Sequence, residues 1–201
     1  LLRELCLAFG PSGCEGQVAG LILDRIAGTY DDCRTDNMGN IIARIRGGGE
    51  GYDPGSPRKI MISAHMDEVG FMINDITEEG CLKFVCIGGI DPRVLPGRGV
   101  LLGDEEKRVK GVIGSKAIHL QSPEERKKIV KADKLYIDIG AKDKEEAQKY
   151  VDLGDFGVFD SDFVIFGSED KFVKCKAIDD RLGCAVLIEV MRRLKDTGEK
   201  M

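Results

Sequence analysis

The chain has 201 residues, 42% of them hydrophobic and 32% charged, with a net charge of −5. That balance fits a folded globular protein of one large domain or two small ones. It excludes the basic face that a nucleic-acid partner needs, and no apolar run approaches the roughly 20 residues of a membrane span.

Residues 1–9 place apolar side chains at positions 1, 2, 5, 7 and 9 and read as the end of a helix, broken by Gly10-Pro-Ser-Gly13. Residues 15–27 read as an amphipathic helix with Val18, Leu21, Ile22 and Ile26 on one face and Gly28 as its stop. Asp36-Asn-Met-Gly-Asn40 is a turn, and residues 40–46 alternate as a strand. Gly47-Gly-Gly-Glu-Gly51 has the glycine content of a phosphate loop. No Lys-Ser/Thr follows it and it precedes a strand, so a flexible hairpin loop is expected. Ile60, Met61, Ile62 and Ala64 then read as a strand buried on both faces.

From about residue 70 to 166 short β-like runs alternate with Gly and Pro turns: 71–76, 82–87, 100–102, 109–113, 135–139 and 163–166. Such spacing suggests a small barrel or sandwich. Two helical pieces interrupt it, one after the capping box Ser122-Pro-Glu-Glu125 and one over residues 144–150. Beyond Asp180 the chain turns helical, with a broad apolar face from Leu182, Ala185, Val186, Ile188, Val190, Met191 and Leu194. The seven cysteines are odd in number and form no C-x-x-C, so they are expected to be reduced thiols of a cytoplasmic protein rather than a zinc knot. The chain opens Leu1-Leu-Arg-Glu without an initiator Met or a signal-peptide pattern, which points to a start further upstream.

Two stretches carry chemistry. In Ser63-Ala-His65-Met-Asp67 the histidine and the carboxylate share a face of an extended segment. A metal-ligating histidine gives its other ring N–H to such a carboxylate, so His65 suits a ligand and Asp67 its orienter. A strand that merely ends in polar residues has the same pattern. In Lys176-Ala-Ile-Asp179-Asp180-Arg181 two carboxylates precede a helix, which serves equally as a double helix cap or as part of a metal site.

Taken together, AHMDEVGFMI (64–73), GVIGSKAIHL (111–120), LYIDIGA (135–141), GDFGVFDS (154–161) and KAIDDRLGCA (176–185) resemble the M42 family of metallo-aminopeptidases, some of whose members carry older endoglucanase labels. The resemblance implies an α/β fold: a zinc-peptidase-like catalytic domain with an inserted β-rich, PDZ-like dimerisation domain. The expected division is 1–69 catalytic, 70–166 inserted and 167–201 catalytic again. It implies an aminopeptidase acting on peptides through two divalent ions, Zn²⁺ or Co²⁺ first and Mn²⁺ next, in a dimer-based assembly that reaches a dodecamer when complete. By that likeness His65 is a metal ligand, Asp67 orients it, Asp179 bridges the ions, Asp180 shapes the turn and Arg181 anchors it.

The chain departs from the family after the Asp-Asp motif. Complete members add a Glu-Glu pair, whose first Glu is the general base and whose second is a metal ligand, then an Asp and a final His, also ligands. None follows here, so the sequence reads as the N-terminal part of such an enzyme, inactive alone, with apolar edges and helix faces left exposed. The Glu-Glu pairs at 78–79, 105–106, 124–125 and 145–146 read as surface charge. The second histidine, His119, is expected to be packed or partly buried, with a place facing an active site as the alternative. Two other functions stay open: a non-catalytic assembly module built on the insert, and an endoglucanase, which needs two carboxylates flanking a sugar.

Overall fold

The computed structural model describes residues 1–46, 59–103 and 107–197. The glycine-rich loop at 47–51 and the Glu105-Glu106 pair lie outside them.

Helix α1 (Leu2–Leu7) and helix α2 (Gly16–Ile26) come first, followed by an antiparallel hairpin of β1 (Asp32–Thr35) and β2 (Ile41–Arg44). Gly28 ends α2 with φ +70°, a conformation that a side chain disfavours. The hairpin turn is fixed by Asp36, whose carboxylate accepts from the backbone N–H groups of Met38 and Asn40. Strand β1, Asp-Cys-Arg-Thr, carries no apolar alternation, and its pairing with β2 reveals what its composition does not.

Six strands then close into an antiparallel barrel in the order β3-β4-β7-β6-β5-β8. They are β3 (Gly70–Ile76), β4 (Leu82–Ile87), β5 (Gly99–Gly103), β6 (Arg108–Gly114), β7 (Tyr136–Asp138) and, after the short helix α3 (Lys144–Ala147), β8 (Phe156–Phe159). Period-two alternation sends Phe71, Ile73, Leu82, Phe84, Val100, Leu102, Ile113 and Ile137 inward. Ile73 and Ile76 are three apart and would face opposite ways on a regular strand. A bulge at Asn74 shifts the register between Ile73 and Asp75, so both reach the core. The barrel of the sequence reading is therefore present, with β8 added to it.

Residues 163–166 were expected among the strands of this region. Strand β9 (Val164–Phe166) instead pairs with β10 (Phe172–Lys174) in a separate exposed hairpin. The capping box forms as read: Glu125 N–H donates to Ser122 Oγ and Ser122 N–H to Glu125 Oε2. It starts only a single 3₁₀ turn.

A second core lies between α1, α2 and the final helix α4 (Ile178–Thr197), built on Leu5, Ala8, Val18, Ile26, Cys184, Ala185 and Ile188. Part of the apolar face of α4 is exposed, as expected, at Leu182 and Val186, because α1 and α2 cover only the side that carries Cys184, Ala185 and Ile188. The expected buried strand at residues 60–64 is also corrected. Ile60, Met61 and Ile62 are 72%, 90% and 59% exposed, and no described strand pairs with them. A strand needs a hydrogen-bonded neighbour, and none of the described segments supplies one here.

No described helix is long and apolar enough to cross a membrane. All seven cysteines lie among the described residues, and none is in a disulfide. Burial pushes the Cys6 thiol up to about 11, so Cys6 is expected to resist alkylation at neutral pH in the native chain and to react on unfolding, as mass spectrometry of iodoacetamide-treated protein would show.

Candidate metal centre

Three segments distant in sequence converge at one end of α4: the loop 8–12 after α1, the stretch 64–70 leading into β3, and the turn 175–181 that opens α4. Glu68 N–H donates to Gly10 O at 2.9 Å, and Pro11 and Glu68 form a single parallel β-bridge. Asp180 Oδ1 accepts from Gly183 N–H at 3.0 Å and so caps the helix. Asp179, just before it, has extended dihedrals, and the Asp179–Asp180 peptide bond is cis. Asp180 therefore serves the turn, while the Asp179 side chain, 95% exposed, stays available.

Arg181 holds the three segments together. It is fully buried and uses all five guanidinium N–H donors. Nε donates to Met66 O at 2.9 Å, Nη1 to Leu5 O and Ala8 O at 2.7 and 2.5 Å, and Nη2 to Gly10 O and Glu68 Oε1, both at 3.1 Å. Glu68 is also buried, and its Oε1 accepts from Lys176 Nζ at 2.5 Å, while Lys176 donates to Ala8 O at 2.9 Å. Desolvation lowers the Lys176 pKa, opposed by the Glu68 charge. Gly10 is required by this packing: a Cβ there would stand 2.8 Å from Arg181 Nη2 and 2.6 Å from Val18.

On this frame His65, Asp67 and Asp179 meet. His65 Nδ1 lies 3.0 Å from Asp67 Oδ1, and Nε2 lies 3.1 Å from Asp179 Oδ1. A carboxylate only accepts, so the neutral imidazole can donate to one of the two and the protonated ring to both. Burial lowers the His65 pKa, but the hydrogen bond to Asp179 and the charge of Asp67 outweigh it and hold the pKa above 6.5. With His65 half exposed, the stabilisation is small; it is present in full below pH 6.5 and fades as pH rises through the raised value. Asp67 is held below its ordinary value, first by a hydrogen bond from Ser12 Oγ to its Oδ2 and then by His65.

The donor set fits a divalent cation. His65 Nε2 and Asp179 Oδ1 lie near enough to each other to be neighbouring ligands of one ion. Their 3.1 Å separation is close to the span of neighbouring ligands about 2.1 Å from a small ion. Among the described residues no third His, Cys, Asp or Glu joins them in a metal-holding group.

His119 is not brought to this site and is not packed, which corrects the buried reading. It sits exposed on a 3₁₀ turn, Ile118–Leu120, whose neighbouring side chains are exposed too. Glu78, Glu79, Glu124, Glu125 and Glu145 are exposed, and two of them pair with lysines at the surface, Glu78 with Lys144 and Glu125 with Lys116. Sequence reasoning missed Ser12, Glu68 and Lys176. Ser12 sits in a stretch that reads only as a helix breaker, and no local pattern signals that Glu68 and Lys176 are buried against Arg181.

The family model for M42 glutamyl aminopeptidases matches residues 39–201. The chain belongs to this family. A lysyl aminopeptidase of Pyrococcus furiosus is 30% identical over 197 residues, covering 96% of this chain and 54% of that protein. Among solved structures, a TET aminopeptidase from a marine-sediment thaumarchaeote superposes with a TM-score of 0.90 at 37% identity, over 98% of this chain and 53% of that one. The TET1 peptidase of Pyrococcus horikoshii, described as assembling into a tetrahedron or a large octahedral shell, gives 0.83 at 38% identity, over 98% and 56%. This M42 chain thus spans about half the length of the relatives it matches. Residues 1–38, which include Ser12, lie ahead of the family match.

Proposed function

We propose that this protein is a divalent-metal aminopeptidase that releases N-terminal residues from peptides, with His65 and Asp179 among the ligands of a dinuclear site. The observation that carries the reading is the facing pair of His65 Nε2 and Asp179 Oδ1 on a buried arginine frame. In this reading Asp179 would hold both ions as their shared carboxylate, Asp67 would keep the Nδ1 proton of His65 so that Nε2 could ligate, and Zn²⁺ or Co²⁺ is the expected metal, with Mn²⁺ next. When bound, such ions polarise the scissile carbonyl and lower the pKa of the attacking water.

The chain's own residues supply position rather than proton transfer. Glu68 is near in sequence, but its Oε1 is engaged by Lys176 and Arg181 inside the protein, which removes it as a general base. The described residues therefore provide an orienter and two donors. A general-base Glu and the further ligands are expected from the portion of the family fold that this chain does not span.

Residues 70–166 are proposed as the inserted, PDZ-like assembly domain between 1–69 and 167–201 of a cytoplasmic catalytic domain, and the whole protein as a homo-oligomer built from dimers, up to a dodecamer. Support comes from the assembled TET1 relative and from the self-contained core of the barrel. Light scattering on the purified protein should then give a mass of at least two chains.

The activity is tested on the chain completed with the portion of the family fold that it does not span, using unblocked and N-acetylated peptides with and without a chelator; this chain alone is expected to be inactive. The proposal expects release of the first residue from the free peptide only, lost on chelation and restored by Zn²⁺ or Co²⁺. His65→Ala and Asp179→Ala should abolish it, and Asp67→Asn should lower it about 10–100-fold. Chelator-resistant hydrolysis of cellulose would favour the endoglucanase reading, which the adjacency of Asp179 and Asp180 argues against.

A further inference from the structure

Ser12 is the group that connects the buried frame to the candidate metal centre. Its Oγ donates to Asp67 Oδ2, while Asp67 Oδ1 accepts from His65 Nδ1 at 3.0 Å. Both carboxylate oxygens of Asp67 are thus engaged, so the carboxylate cannot rotate without breaking one bond. Ser12 is itself held. The loop that carries it is tied by Ala8 O to Arg181 and Lys176, by Gly10 O to Arg181 and to Glu68 N–H, and by the Pro11–Glu68 bridge. The other neighbour of His65 is free by comparison: Asp179 is 95% exposed, against 33% for Asp67.

We propose that Ser12 is a positioning residue: by locking Asp67 it keeps the neutral His65 imidazole in the Nδ1–H tautomer, with the Nε2 lone pair aimed at Asp179 and at any cation between them. This rests on the reading of His65 as a metal ligand, but it concerns the ring before a metal arrives. A neutral imidazole has one proton to place. It can face the Asp67 carboxylate, already held by Ser12, or the solvent-exposed one of Asp179, and the held acceptor wins because less side-chain freedom has to be given up to use it. Only the Nδ1–H form offers Nε2 as a ligand. Without Ser12, Asp67 turns more freely and the preference weakens. The Glu68–Lys176–Arg181 cluster acts one step further back, by holding the loop that presents the hydroxyl.

The test reads the tautomer directly. The chain has two histidines, so long-range ¹H–¹⁵N spectra of the metal-free protein contain two imidazoles, and His119→Gln assigns them. At a pH where both rings are neutral, wild-type His65 should be mainly Nδ1–H. Ser12→Ala should reduce the ratio of Nδ1–H to Nε2–H about tenfold, while Ser12→Thr, which keeps the hydroxyl, should restore it. A urea midpoint close to wild type separates this effect from general loosening. The proposal is overturned by an unchanged ratio in Ser12→Ala, by a wild-type ring that is mainly Nε2–H, or by a folded Ser12→Thr that behaves as the alanine variant does. Should Ser12→Ala not fold, Ser12→Thr decides: a wild-type ratio supports the hydroxyl's role and a collapsed one overturns it. No metal is present, so failure here leaves the metal assignment standing, and failure of metal binding leaves this result standing.

Discussion

Arg181→Leu is expected to destabilise the chain by about 3–5 kcal/mol, the cost of breaking a buried ion pair by removing one partner. Replacing buried ionic groups with apolar ones can be neutral when every member of the cluster is replaced together. That escape is closed here. Four of the five acceptors of Arg181 are main-chain carbonyls, of Leu5, Ala8, Gly10 and Met66, which no substitution removes. Leucine would leave them without their buried donor, at about 1–3 kcal/mol for each one that water cannot reach. Glu68 would keep only Lys176. Arg181→Lys should recover little, because an ammonium has three donors and no planar fork. Urea unfolding measures the difference. A loss below about 1 kcal/mol would mean that water enters and replaces the guanidinium.

Phe71→Ala should cost a similar amount, about 3–5 kcal/mol, through a different mechanism. Phe71 is fully buried at the centre of the barrel and meets two other rings edge to face: Phe84 at 5.2 Å and 80°, and Phe159 at 5.0 Å and 79°. Truncation removes the transfer energy of the ring, leaves a cavity and forfeits both aromatic contacts. Phe71→Leu refills much of the volume and should cost less than half as much. The barrel and the α1–α2–α4 layer have separate cores, so the alanine variant should lower the barrel's thermal transition more than the helices'. Near-UV circular dichroism, followed alongside the helical signal at 222 nm, would show this. Equal shifts in both signals would make the two cores one cooperative unit.

How much of this was legible depended on whether a feature is local. Strands β3, β4, β5 and β6 follow from alternation and turn residues, since one face of each fills the barrel. The capping box at Ser122 and the Asp36 turn follow from local hydrogen-bonding capacity. The residues at 60–64 read as a buried strand from hydrophobicity alone, but burial depends on a neighbour, and no described strand lies beside them. Strand β8 was missed because Gly157 interrupts its apolar run; the glycine is there because a Cβ would stand 2.5 Å from Leu102. In the site, H-x-D spacing and the Asp-Asp pair exposed His65, Asp67 and Asp179. Ser12, Glu68 and Lys176 stayed hidden because their roles arise from contacts between residues 55 or more positions apart.

The central claim is that His65 and Asp179 face each other to hold a metal ion. The most direct measurement is anomalous X-ray diffraction from crystals of this chain equilibrated with Zn²⁺. The account predicts an anomalous peak about 2.0–2.2 Å from both His65 Nε2 and an Asp179 carboxylate oxygen, with Asp67 still on Nδ1. A peak touching neither residue, or none at this place in saturating Zn²⁺ with the imidazole still bridging the two carboxylates, would contradict it.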